Sequence, residues 1–378
     1  MHRQQFCLML TSLISVFAVA QGADVSITPT LAPMDDAFLS RQSEAFLKEI
    51  TITLDTVPPV LPEPRERRLA LRLLDAVLHD THAPNRPCVQ SFYQNRMALA
   101  IGQMEKEKPA DGMLIWKMYN HGFVVRTPSV TVGFDLHCGV ANFRWDKADG
   151  TRERVPSPGF PISDAMVTRL VAQCDVLFIS HEHRDHADPR IVEAFLNAGK
   201  PVVAPEPVLK DAPFHGKITH MTRESNTIQK LPIQNASRQL DVVIYPGQQY
   251  QDGGALNNVT LVISPEGYSF AHNGDQINDP YPEYQKDFEW IDKVHEHHRV
   301  DVFMTNNWTN DVFRMVRGFD PELVLPGHQN ELGHQMNDRV PYWGDGEFLK
   351  LNFEEMRAAY PTLDMTWGEK FLFVPKRR

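Results

Sequence analysis

The chain has 378 residues, 42% of them apolar, and 38 basic against 48 acidic side chains give a formal charge of −10. That apolar share supports a sizeable core, while the acidic balance and the lack of any Lys/Arg run argue against a nucleic-acid-binding surface. Four cysteines, Cys7, Cys88, Cys138 and Cys174, are too few and too scattered for a disulfide framework.

Residues 1–22 read as a cleavable export signal. His2 and Arg3 precede the apolar stretch Phe6 to Ala20, which ends in small residues before Gln21-Gly22-Ala23. The stretch is short for a membrane span, no basic stop-transfer cluster follows, and Cys7 lies inside it, not at its end. The expectation is a secreted or periplasmic protein with no stable membrane anchor after cleavage. The mature chain keeps three cysteines, so at most one bridge can form, and Cys174 reads as a buried small hydrophobe opening a strand.

Residues 23–111 read as a helical N-terminal extension. Pro33-Met34-Asp35-Asp36 opens a helix towards Ile50, and Pro58, Pro59, Pro62 and Pro64 form a stiff connector. Leu69, Leu73, Leu74, Val77 and Thr81 then share one helical face, and Phe92, Leu99, Ala100 and Met104 mark a third helix. Residues 112–378 form the expected main domain. Its strands are Leu114–Arg126 and Val130–Leu136 around a Thr127-Pro128-Ser129 turn, then Val176–Ile179. Asp188-Pro189 caps a helix ended by Gly199, and a strand at Pro201–Ala204 follows directly. Asp241–Tyr245 is another strand, and Val259–Ser264 with Tyr268–Ala271 make a hairpin. Tyr284, Phe288, Ile291 and Val294 lie on one face of a helix whose His295, His297 and His298 sit at its solvated end. Val300–Met304 and Leu323–Leu325 are short buried strands, and Glu347–Ala359 is a late helix.

The chemistry concentrates in Ser180-His181-Glu182-His183-Arg184-Asp185-His186, directly after an apolar strand. His181 and His183 point the same way if the segment is extended, and Asp185 with His186 aim at a second point across a turn. One loop can thus serve two cations, as two-metal hydrolytic sites require. The H-x-H-x-D-H pattern resembles the hallmark of the metallo-β-lactamase superfamily of metal-dependent hydrolases. A histidine at position 183, where the oxygen-reducing diiron branch has an acid, points to the hydrolase side.

The resemblance covers roughly residues 113–344 and implies an α/β fold, the αββα sandwich, with the site at one edge between the sheets. It also implies further ligands at later strand ends. Tyr268–Asp275 has the strand-Gly-Asp form, making Asp275 the bridging carboxylate, and Leu323–His328 ends a strand with the last ligand, His328. His334 reads as a surface or supporting residue. The middle histidine is absent: Ile244-Tyr245-Pro246-Gly247-Gln248-Gln249 puts Gln249 in its slot. His215 or His220 from another loop is the alternative. The set is therefore His181, His183, Asp185, His186, Asp275 and His328, with Gln249 and His121 as possible metal or substrate contacts. His121 falls in Tyr119-Asn120-His121-Gly122-Phe123, which is similar to a Gly-His-x-x-Phe of the ascorbate-phosphate lactonase-like branch. Asn306-Asn307-Trp308 can present amides and an indole to a ligand, and Asp188 reads as a helix cap.

The expected cofactor is divalent metal, zinc first with manganese or iron(II) as alternatives: two ions, or one if the first position is incomplete. Asp185 is the expected catalytic residue, orienting a metal-activated water. The function implied is an exported hydrolase of a small-molecule or lipid-like ester, lactone or phosphodiester. The alternative is a metal- or ligand-binding relative without catalysis.

Overall fold

Two six-stranded mixed sheets carry the fold, and helices cover their outer faces. The structure, a computed structural model, describes residues 28–78, 83–139, 143–146, 152–155, 162–233, 238–249, 254–278, 281–306, 311–328, 332 and 353–376. The expectations on residues 1–22, Thr81, Trp308, His334 and 347–352 lie outside that set. The chain divides into two units, Met1–Ser43 and Glu44–Arg378. Among the described residues no helix is long and apolar enough to cross a membrane.

Helix α1 spans Thr28–Thr56, α2 Arg65–Leu78 and α3 Pro87–Met104. The first sheet holds β1 (Met113–Lys117), β2 (Phe123–Arg126), β3 (Thr131–Phe134), β6 (Val176–Phe178), β7 (Val202–Val203) and β14 (Lys370–Phe373) in the order 14-1-2-3-6-7. Between β3 and β6 come a separate hairpin, β4 (Phe143–Asp146) with β5 (Arg152–Val155), and helix α4 (Asp164–Gln173). Helix α5 (Pro189–Asn197) links β6 to the parallel β7 as a crossover. Asp188 caps it by accepting from the Arg190 amide at 2.9 Å, as its sequence position suggests.

The second sheet runs β8 (Gln229–Pro232), β9 (Gln239–Gln248), β10 (Leu256–Ile263), β11 (Ser269–His272), β12 (Val302–Asn306), β13 (Leu323–Gly327), in that order. Each sheet shows three antiparallel pairings followed by two parallel ones. The remaining helices are α6 (Val294–His297), α7 (Val312–Phe319) and α8 (Phe353–Ala359).

Period-two alternation sorts the strands into three apolar layers. Ile115, Val125, Phe134 and Phe178 face Ile244, Phe270, Met304 and Leu325 between the sheets. Trp116, Val124 and Leu177 turn outwards to Leu71, Leu74, Tyr93 and Met97. Val243, Leu261 and Phe303 meet Phe288, Met315, Phe319 and Met356 on the far side. The result is the expected αββα arrangement, and each fully buried side chain of this size contributes roughly 1.5–3 kcal/mol.

Helices α2 and α3 pack on the first sheet's outer face within the unit Glu44–Arg378. Several expectations are corrected. The single strand Leu114–Arg126 is two, broken where Asn120 takes φ +50° and the Met118 and Gly122 backbones pair. The buried face of α2 is Arg67, Leu71, Leu74 and Leu78, while Leu69 is half exposed, because the helix turns a paired arginine inwards. On α3, Leu99 faces solvent, whereas Phe92, Ala100 and Met104 are buried as expected. Residues Pro282–Lys293 form 3-10 turns, not an α-helix, although Phe288, Ile291 and Val294 bury as predicted. Cys88, Cys138 and Cys174 are free thiols, and Cys174 is buried.

Candidate metal centre

Strand ends supply the site. The motif follows β6, Asp275 follows β11, Asn306 ends β12 and His328 follows β13. Glycine makes two of these turns possible. Gly274 has φ +54°, and a Cβ there would lie 2.4 Å from that of Ser180. A Cβ on Gly327 would lie 2.1 Å from His121 Cδ2, so the β13 backbone passes against that imidazole.

Asp185, His186, Asp275 and His328 converge, with one donor atom from each inside 4.8 Å of the others. His186 Nε2 lies 3.1 Å from Asp185 Oδ2 and 3.3 Å from Asp275 Oδ1; His328 Nε2 is 3.5 Å from each of those oxygens. Two ligands bonded to one cation at about 2.1 Å stand roughly 3.4 Å apart in a tetrahedral shell, so the spacing fits. His181, His183 and Asp275 form a second group, with His181 Nε2 3.6 Å from Asp275 Oδ2. That nitrogen is buried and makes no hydrogen bond, as suits an atom meant for a metal. All six expected ligands are therefore brought together, and Asp275 is the residue common to both groups.

Electrostatics fit the same reading. Burial works against a charge on His186, yet Asp275, Asp185 and Asp135 outweigh it and lift its pKa well above normal. Burial would raise Asp185 and Asp275, but His186 and His328 hold both well below the usual carboxylate range. Burial, with His186 next, lowers His181 to about 3, so it is a neutral imidazole with a lone pair available. Three carboxylates thus crowd one imidazole where a divalent cation would balance them.

A supporting layer orients the ligands. Asp135 Oδ2 is 2.7 Å from His186 Nδ1, leaving Nε2 to face the cluster, and Asp135 also accepts from the Ser180 amide (2.7 Å) and hydroxyl (2.6 Å). Asn120 donates to Asp185 Oδ2 at 3.0 Å. Asn306 donates to Asp275 Oδ1, and Gln249 donates from Nε2 to Asp275 Oδ2 at 2.9 Å. Each carboxylate ligand therefore carries at least one carboxamide donor.

Gln249 does reach the site, as its slot implies. His215 and His220 belong to none of the candidate ligand groups among the described residues; their rings stand 5.3 Å apart and their Nδ1 atoms lie on the Val208 and Ala204 carbonyls. Asn306 donates to Asp275 Oδ1, and Asp188 stays with its helix cap and the Cys138 amide (2.8 Å). His295 and His297 are exposed, away from the cluster. His121 is fully buried, its ring 4.0 Å from that of His272, and neither ring nitrogen has a hydrogen-bond partner. Burial, then His272, pushes its pKa well below normal. It also forms a group with Asp135 and His186 at the back of the site. A substrate contact from it would need the ring to leave this position.

Sequence reasoning missed Asp135 and His272. Asp135 looks like an ordinary strand end, although the strand preceding the motif strand was a place to seek a support for His186. His272 Nε2 donates to the His121 carbonyl at 2.9 Å while Nδ1 receives the Gly274 amide at 3.2 Å, so its two bonds fix the tautomer.

No family model and no curated protein matches the chain. Among solved structures, it is similar to Igni18, a metallo hydrolase from Ignicoccus hospitalis: 14% identity, TM-score 0.44, covering 70% of this chain and 99% of that one. An isothiocyanate hydrolase from Delia radicum gut bacteria matches at 16% identity and TM-score 0.45, covering 69% and 99%. The diiron β-hydroxylase CmlA from Streptomyces venezuelae matches at 13% and 0.42, covering 71% of this chain and 55% of its own.

Proposed function

We propose that the protein is a metal-dependent hydrolase of metallo-β-lactamase type. The observation that carries this is the convergence of Asp185, His186, Asp275 and His328 from three separate strand ends at metal-ligand spacing. A bound divalent cation would lower the pKa of its water towards neutrality and stabilise an oxyanion forming on a carbonyl or phosphoryl centre.

The protein's own groups do the rest. Asp185 is held by Asn120 through Oδ2, which leaves Oδ1 to accept a hydrogen bond from the attacking water and fix its orientation. Asp135 holds His186 with Nε2 inwards. Solvent and substrate reach the cluster at Asp185, whose side chain is 28% exposed, and at the half-exposed His183. The substrate class we propose is a small-molecule or lipid-like ester, lactone or phosphodiester, and zinc is the ion we expect, met after export from the cell.

Asp185→Ala and His186→Ala are expected to abolish turnover on a panel of such substrates, by at least ~10³-fold, with the circular dichroism spectrum unchanged. Full activity in either variant sinks the reading. A metal-loaded wild type inactive on every member of the panel would instead favour a binding protein.

A further inference from the structure

The two cation positions are not equivalent. We propose that the Asp185–His186–Asp275–His328 position holds a resident metal, whereas the His181–His183–Asp275 position is weak and readily exchanged because Gln249 stands in it. This inference rests on the functional reading above.

Gln249 follows directly on β9, and its amide sits against the carboxylate oxygen nearest His181. Nε2 donates to Asp275 Oδ2 at 2.9 Å, and that same oxygen lies 3.6 Å from His181 Nε2. The N–H therefore points at an oxygen the first position needs for a metal. The other end of the amide, Oε1, is buried and has no hydrogen-bond partner. To act as a ligand the amide must turn over, present Oε1 to the cation and give up its bond to Asp275. What it then offers is a neutral carbonyl oxygen, harder and weaker towards zinc than an imidazole. Among the described residues no other histidine joins this group, and His215 and His220 keep their Nδ1 atoms on backbone carbonyls.

Support for the ligands is unequal as well. At the second position His186 is backed by Asp135, which holds Nδ1 and leaves Nε2 facing the cluster. At the first, His181 Nδ1 has only the Ser180 hydroxyl at 3.0 Å, which is already shared with Asp135. Two carboxylates serve the second position and one serves the first. Each accepts a carboxamide N–H, from Asn120 and Asn306 at the second and from Gln249 at the first. The difference therefore lies in the carboxylate count, in Asp135 and in the glutamine standing where an imidazole would bind. Outer partners of this kind are typically worth 10–100-fold in metal affinity.

The test is metal content and affinity of the full chain, with cobalt(II) as an optical probe and zinc by elemental analysis. After loading in excess and desalting, wild type is expected to retain about one equivalent, and cobalt titration to show a tight and then a weak phase. Gln249→His is expected to retain about two equivalents, with the weak phase tightened at least tenfold. His328→Ala is expected to lose the tight phase. Circular dichroism checks that both variants fold. If either does not, the two-phase titration of wild type decides alone. Two equally tight equivalents in wild type, or a tight phase surviving in folded His328→Ala, overturn the inference while leaving a metal-dependent enzyme. A wild type that binds no metal overturns the functional reading too.

Discussion

Near β14, the fully buried Arg67 guanidinium donates from Nη1 to Glu369 Oε1 at 2.6 Å and from Nη2 to Glu369 Oε2 and the Asp364 carbonyl (2.8 Å). Glu369 Oε2 also accepts the Thr366 amide at 2.9 Å, and Arg357 stands beside Glu63 and Asp364 in the same cluster, so guanidinium cations and carboxylates face each other there. The metal centre is buried to a similar degree, yet its three carboxylates, Asp135, Asp185 and Asp275, share the one imidazole whose pKa they raise, His186, and among the described residues none of them pairs with a lysine or arginine. Both clusters hold buried polar atoms without hydrogen bonds, His181 Nε2 and Gln249 Oε1 here, Arg67 Nε and both Glu63 oxygens there, so it is the balance of charge that separates them. A buried charge cluster that balances itself holds the fold together, and one that does not is built for something arriving from outside.

Breaking the balanced cluster should have the largest effect on stability. Arg67→Met leaves Glu369 buried without its cation and should lower unfolding free energy by about 3–5 kcal/mol in urea melts, with metal content unchanged. A variant that melts like wild type would remove the contrast between the two clusters. Asp135→Asn acts on the other side. Its amide would face His186 Nδ1 as a donor and push the ring proton to Nε2, where the metal lone pair belongs. Metal affinity should fall 10–100-fold, with the melt in chelator changed far less.

The two clusters should also answer pH with opposite signs. Glu63 lies 3.6 Å from Arg67 Nε and from Arg357 Nη1, and burial, reinforced by Asp364, lifts it to about 7 from 4.5. A raised folded value means that its stabilising contribution is complete below about 4.5 and is lost as pH climbs through about 7. Asp185 and Asp275 are held low, so their contribution is present at neutral pH and is lost as pH falls. Stability of wild type relative to Glu63→Gln should therefore decline between those two pH values, and a flat difference would refute the assignment. The smallest effect is expected from Asn120→Ala, a several-fold weaker metal affinity in chelator competition, since Asp185 keeps its other contacts.

What was legible in the sequence is what is local. His181, His183, Asp185 and His186 occupy six consecutive positions after an apolar strand, and Asp275 and His328 each end a strand beside glycine. Asp135 was hidden because its partner His186 is 51 positions away and meets it only through the parallel pairing of β3 with β6. The break between β1 and β2 was hidden too, because Asn120 adopts a left-handed conformation that no local apolar pattern marks. Arg67 on α2 defeated the hydrophobic pattern for a similar reason: the distant Glu369 makes an arginine acceptable inside.

Strand β14 pairs with β1 in the antiparallel register Met113↔Phe373 to Trp116↔Lys370. During synthesis β1 leaves the ribosome hundreds of residues before that partner exists. Until then one edge of the first sheet offers unpaired N–H and C=O groups, which invite wrong pairings. The segment bearing Asn120 and His121 hangs directly from β1, and Glu369, the counter-ion of Arg67, directly precedes β14. The metal-binding set, which ends at His328, thus precedes in the chain the strand that closes this edge of the scaffold beneath it.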